Sequence, residues 1–223
     1  MAEILLGNYK VITITSGRLM QNCYLIKYLP SGELLIIDPG LGVKEIIEAI
    51  EKEGAVLTLI LLTHGHYDHV AGVKQVSEKY QLPFYIHDAD IRLLKRAPMY
   101  AISMEKRILE ISSNYKCIDG SISPWKADPV EVISTPGHTP GSVCFYFGNM
   151  VFTGDIILTE HEASPGLPGY NQTDLNQSVS NILALLPGGT HFFPGHGKND
   201  TIDNIKDIWE HSKQYNLLKS DTL

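Results

Sequence analysis

The sequence has only three cysteines, Cys23, Cys117 and Cys144, and no two of them form a Cys-x-x-Cys pair. An odd and scattered set argues against a disulfide framework and against a thiolate metal site. Cys23 and Cys144 fall in apolar stretches, where a free cysteine is typically a small buried hydrophobe. Long apolar runs are also missing: none approaches the roughly 18 residues that span a bilayer. Met1 to Asn8 lacks the basic start and apolar centre of a signal peptide. These absences point to a cytoplasmic protein with no membrane partner. Basic charge is in deficit, with 18 Lys and Arg against 25 Asp and Glu and a formal net charge of −7. That balance argues against the basic stripe by which proteins engage nucleic acid. No Gly-x-Ser-x-Gly elbow is present, so the chain has no nucleophile turn of the serine-hydrolase kind.

What the chain does contain is enough for one globular domain spanning residues 1–223, with 43% hydrophobic and 19% charged residues. Apolar runs at Lys10 to Thr15, Cys23 to Tyr28, Glu33 to Ile37 and Val56 to Leu62 read as strands. Others follow at Phe84 to His87, Val130 to Ser134, Ser142 to Phe147, Met150 to Thr153 and Thr190 to Phe193. Helices are expected over Val43 to Glu53 (stopped by Gly54), Val70 to Tyr80, Asp174 to Leu186 and Ile202 to Tyr215. Strand-rich centres flanked by helices in both halves suit an α/β architecture of two packed sheets with helices outside.

The most informative segment is His64-Gly65-His66-Tyr67-Asp68-His69, which follows the apolar run ending at Leu62. Four metal-ligand side chains in six residues, at the exit of a strand, are hard to explain as solvated polar groups. Imidazole nitrogen and carboxylate oxygen together suit zinc, iron or manganese. The pattern recurs downstream: His138 in Thr135-Pro136-Gly137-His138-Thr139-Pro140-Gly141, Asp155 after Val151-Phe152-Thr153-Gly154, and His196 in Pro194-Gly195-His196-Gly197. Each ligand sits beside Gly and Pro punctuation at a strand end, where loops on a rigid sheet commonly build sites.

These residues resemble the ligand set of the metallo-β-lactamase superfamily of binuclear hydrolases. Asn22-Cys23-Tyr24-Leu25-Ile26 and Leu35-Ile36-Ile37-Asp38-Pro39-Gly40 match that family's early strands. The turns carrying His138 and His196 are most similar to its glyoxalase II-like (hydroxyacylglutathione hydrolase-like) branch. The resemblance implies an αββα four-layer sandwich of two mixed β-sheets flanked by helices. It assigns a first metal to His64, His66 and His138, a second to Asp68, His69 and His196, and a bridging role to Asp155. It further implies two divalent ions, zinc by expectation, and hydrolysis of a small-molecule thioester or ester by a metal-bridging hydroxide, with Asp68 and Asp155 in the catalytic centre. Asp38, in Ile37-Asp38-Pro39-Gly40, reads either as a turn-former or, as the resemblance implies, as a support for a ligating histidine from behind.

Other readings stay open beside this one. A mononuclear iron persulfide dioxygenase or a lactonase can be built on the same fold, and a catalytically inactive binding module disagrees with so complete a ligand set. His87, His191 and His211 read as a strand-end cap, a packing or surface residue, and a solvated helix residue. The charged residues between Arg92 and Glu110 read as the exposed side of helical segments. The stretch from Ile156 to Tyr170 replaces the Gly- and Arg-rich segment of the glyoxalase II branch. It is expected to border the substrate, helped by a helical segment around Met99 to Ile111. Tyr170 and His161, with Glu160 or Glu162, are its candidate substrate contacts.

Overall fold

In the computed structural model, residues 1–118, 127–158 and 167–220 are described, with side chains through residue 211. Seven strands form the first sheet in sequential order: β1 (Ala2–Leu6), β2 (Tyr9–Ser16), β3 (Gln21–Tyr28), β4 (Glu33–Ile37), β5 (Val56–Leu61), β6 (Phe84–Ile86) and β7 (Tyr115–Cys117). β1 to β4 pair antiparallel; β4 to β7 pair parallel. The second sheet contains β8 (Glu131–Ser134), β9 (Val143–Phe147), β10 (Met150–Gly154), β11 (His191–Pro194) and β12 (Asp200–Thr201), in the order β12-β11-β10-β9-β8. Its one parallel pair is β10 with β11, so both sheets are mixed.

Strand alternation assigns the apolar side chains to layers. Along β2, β3 and β4, Val11, Tyr24, Ile26, Leu35 and Ile37 join Phe145, Phe147, Phe152 and Phe193 in the core between the sheets. Their neighbours Ile12, Cys23, Leu25, Leu34 and Ile36 point the other way. They pack under α1 (Val43–Glu53), α3 (Val73–Tyr80) and α4 (Ile91–Glu105). On the second sheet Cys144, Val151 and Phe192 face outward against α5 (Gln172–Leu185) and α6 (Ile202–Ser220). Helix, sheet, sheet and helix therefore stack as four layers. Phe152 and Phe193 are stacked at 4.8 Å between ring centroids, and Tyr24 meets both rings edge-on.

Several expected boundaries shift. The helix expected from Val70 begins earlier and is interrupted: α2 (Tyr67–Val70) ends at Ala71, and α3 starts after Gly72. The break follows from a close approach. Gly72 N–H donates to Pro39 O, and a Cβ at Gly72 would lie 2.6 Å from Gly40 O. The helical segment expected over Met99 to Ile111 is instead Ile91–Glu105; Lys106 adopts a left-handed conformation and its N–H closes the last turn. Strands β1 and β7 had no clear signal in the sequence, being short and largely unburied.

Candidate metal centre

The seven expected ligands, with Asp38, are carried by the segments that follow the C-terminal ends of strands. β5 leads through Leu62 and Thr63 to His64 and His66, and α2 then carries Asp68 and His69. The turn after β8 carries His138, β10 runs into Asp155, β11 into Gly195 and His196, and β4 into Asp38. Both sheets thus deliver side chains to one edge of the sandwich. All eight of these residues are buried.

Three overlapping groups of ligand-type side chains lie here; one, Asp38 with His64 and His69, includes the carboxylate behind the rings, and the other two meet at Asp155. His64 Nε2, His66 Nδ1, His138 Nε2 and Asp155 form one group; Asp68, His69 Nε2 and His196 Nε2 form the other. In the first, His66 Nδ1 lies 3.0 Å from His64 Nε2 and 2.9 Å from His138 Nε2. Asp155 Oδ2 is 3.4 Å from His138 Nε2 and 3.9 Å from His64 Nε2. In the second, His196 Nε2 is 3.3 Å from both Asp68 Oδ2 and His69 Nε2. Asp155 reaches this set too, with Oδ1 3.4 Å from His69 Nε2 and Oδ2 3.4 Å from His196 Nε2.

Those spacings fit a bound cation. Zinc–nitrogen bonds of about 2.0–2.1 Å make the edge of a tetrahedron about 3.3 Å long. His66 Nδ1 faces two imidazole nitrogens at once, and the single N–H of a neutral ring can make a full hydrogen bond to only one of them. Asp155 Oδ1 is buried without a hydrogen-bond partner among the described residues. A divalent ion at each focus resolves both problems.

Hydrogen bonds behind the ligands set their tautomers. His69 Nδ1 is 2.8 Å from Asp38 Oδ2, and His196 Nδ1 is 2.7 Å from Leu19 O, so each ring donates backwards and leaves Nε2 for the centre. Thr63 Oγ1 donates to Asp38 Oδ2 at 2.6 Å and lies 3.0 Å from His64 Nδ1, which donates to it in turn. Asp38 itself is held in a left-handed conformation with φ 51°. That backbone turn, which Asp tolerates better than most residues, also lets its Oδ1 accept from Thr63 N–H.

The two sets differ electrostatically. Burial pushes His64 and His66 below the ordinary histidine range, and His138 down to about 4. Burial also opposes charge on His69 and His196, but the carboxylates around them prevail. Asp155, Asp68 and Asp38 hold His69 well above its ordinary value, while Asp155 and Asp68 raise His196 to about 10. Burial works against ionised Asp155 and Asp68 as well, and the neighbouring His69 and His196 keep both carboxyls low.

Other candidates lie elsewhere. Tyr170 packs partly against the α5 layer and its hydroxyl donates to Gln172; Asn171 N–H donates to Gly137 O, which ties this segment to the His138 turn. His161, Glu160 and Glu162 lie outside the described residues. His87 Nδ1 accepts from Ala89 N–H and caps the 3-10 turn Asp88–Asp90. Two residues close to the centre went unrecognised in the sequence: Thr63, an ordinary strand-end threonine there, and Asp90, whose only local signal is its place before a helix.

The chain has clear relatives. The profile of the Metallo-beta-lactamase superfamily matches residues 16–200. Probable metallo-hydrolase YqgX of Bacillus subtilis is 32% identical over 189 residues, covering 81% of this chain and 87% of that protein. The probable polyketide biosynthesis zinc-dependent hydrolase BaeB of Bacillus velezensis is 28% identical over 174 residues, covering 78% and 72%. The crystal structure of TTHA1623 in a di-iron-bound form superposes with a TM-score of 0.78 at 31% identity, covering 86% of this chain and 96% of that one. With its profile match, its four-layer fold and its convergent His and Asp side chains, the chain belongs to the metallo-beta-lactamase superfamily.

Proposed function

We propose that this protein is a binuclear metal hydrolase that cleaves a small-molecule thioester or ester, in the manner of the glyoxalase II-like branch, with zinc in both positions. The observation that carries this reading is the sharing of Asp155 between two otherwise complete ligand sets. The zinc-dependent name of BaeB supports the metal, and the di-iron form of TTHA1623 makes iron the competing choice. When bound, a pair of divalent ions lowers the pKa of a shared water and polarises a carbonyl oxygen.

The protein's own groups prepare that chemistry. Asp155 holds the two sets in register. Asp38 and Thr63 keep the Nε2 atoms of His69 and His64 directed inward, and the Leu19 carbonyl does the same for His196. The surrounding burial excludes bulk water, which strengthens each charge interaction within the site. Tyr170 and His161 are proposed to contact the substrate. The hydrogen bond from Asn171 N–H to Gly137 O supports Tyr170, since it ties the neighbouring residue to the turn that carries His138.

Metal content per chain, measured together with turnover of S-acyl thioesters, tests the proposal. Two zinc ions and chelator-sensitive thioester hydrolysis are expected. One iron ion with oxygen consumption on a persulfide substrate would overturn it in favour of a dioxygenase.

A further inference from the structure

Between the two loops that carry the first ligand set lies a carboxylate belonging to neither set. Asp90 ends the 3-10 turn Asp88–Asp90 before α4 and has no exposed surface. Its Oδ2 accepts hydrogen bonds from Gly65 N–H and from the Thr139 hydroxyl, each at 2.8 Å. Its Oδ1 accepts from Gly141 N–H, also at 2.8 Å. Gly65 separates His64 from His66, and Thr139 follows His138 directly. Packing at this point leaves no spare room: a Cβ on Gly141 would lie 2.7 Å from Asp90 Oδ1, and one on Gly65 would lie 3.0 Å from Asp90 O.

A second observation concerns the rings themselves. His64, His69 and His196 are each held from behind by a hydrogen bond to the nitrogen that faces away from the centre. The corresponding atoms of His66 and His138, Nε2 and Nδ1, are buried and have no partner among the described residues. Those are the two histidines whose loops Asp90 joins.

We propose that Asp90 is the positioning residue of the first metal position, holding His66 and His138 through their backbones where ring hydrogen bonds hold the other three histidines. The proposal rests on the two-metal reading above. A buried carboxylate is retained only where its acceptor sites are filled. Here two N–H groups and one hydroxyl fill them, and charge-assisted bonds of this kind are stronger than neutral ones. An amide cannot replace the carboxylate, because its NH2 would point at a backbone N–H or displace the threonine hydroxyl. Asp90 touches neither metal position nor substrate, so its effect is on affinity at one position and not at the other.

Cobalt(II) titrated into metal-free protein and followed by visible absorption reads each position separately. In a His196→Ala background the first set alone remains complete, and Asp90→Asn should weaken cobalt binding there about 10- to 100-fold, the range typical of groups that orient ligands. In a His138→Ala background the second set remains, and Asp90→Asn should leave its affinity unchanged. Thr139→Val removes one of the three bonds to Asp90, together with the hydroxyl's contact to Ser142 Oγ, with little change in volume, and should weaken the first position by a smaller factor; if Asp90→Asn gives no cooperative thermal transition, this variant decides. Equal loss at both positions, or none at the first, overturns the assignment of Asp90. Wild-type stoichiometry separates the two questions. One ion per chain that survives His138→Ala removes the two-metal reading and this assignment with it. Two ions per chain with an unaltered first affinity in Asp90→Asn or, where that variant does not fold, in Thr139→Val removes the assignment alone.

Discussion

Asp38 Oδ2 stands 2.8 Å from His69 Nδ1 and 2.6 Å from Thr63 Oγ1, so one carboxylate oxygen orients a histidine in each ligand set, directly for His69 and through a hydroxyl for His64. Asp38→Ala removes both supports and leaves the Thr63 N–H buried without its acceptor. Metal affinity at both positions is expected to fall about 10- to 100-fold, and stability by about 1–3 kcal/mol. Equilibrium dialysis against zinc, with thermal melts of the metal-free protein, checks both values. Unchanged zinc affinity would show that packing alone orients the two rings.

Asp155 is the residue common to both sets, and its loss should differ in kind from loss of a surface carboxylate. Asp155→Asn keeps the shape but removes the negative charge needed to hold two cations close together. Bound metal is expected to fall from two ions per chain to one or none, with thioesterase activity at background, by elemental analysis and single-turnover assays. Retention of two ions would refute the bridging role.

Gly195 is required by its neighbours. A Cβ there would lie 2.0 Å from Asp155 Oδ1 and 2.7 Å from His69 Cε1. Gly195→Ala should displace both and cost about 1–3 kcal/mol of overpacking, or about 2–12 °C in Tm for a chain of this length. The second metal should be lost before the first, since His69 belongs only to the second set. A variant that melts and binds metal like the wild type would contradict the packing described.

Opposed histidine shifts make the metal-free protein sensitive to pH in two directions. His138, lowered from 6.5 to about 4 by burial, is neutral in the fold; its contribution to stability is complete above 6.5 and is lost as pH falls toward 4. His196, where the Asp155 and Asp68 charges outweigh burial and raise the value to about 10, is protonated in the fold; its contribution is complete below 6.5 and is lost as pH rises toward 10. Tm of chelator-treated protein should therefore pass through a maximum near 6.5. Ions entering the second set should displace protons held by the His69–His196 pair, whose Nε2 atoms are 3.3 Å apart, and calorimetry in buffers of different ionisation enthalpy detects that release. Proton release on filling the first set alone, and none on filling the second, would contradict this distribution of charge.

Substrate preference should follow the segment after Asp155. Replacing Thr159 to Gly169 with a short Gly-Ser link is expected to change the rate ratio between small and glutathione-based thioesters while leaving metal content intact. An unchanged ratio would place specificity elsewhere.

Local chemistry made much of this protein legible from its residues alone. Short apolar runs marked β2 to β6 and β8 to β11, and α1 lies where Val43 and Gly54 bound it, because strand and helix patterns and turn residues act over a few positions. The dense motif from His64 to His69, with His138, Asp155 and His196 at later strand ends, marked the residues that converge. Tertiary structure decided what depends on distant segments meeting. Asp90 reaches back 25 residues to Gly65 and forward 51 to Gly141, and no local pattern encodes such a span. The split between α2 and α3 depends on Gly72 meeting the turn at Pro39 and Gly40. The proton distribution among the five histidines depends on which carboxylates stand within a few ångströms of each ring, and only the packing of the two sheets brings those groups together.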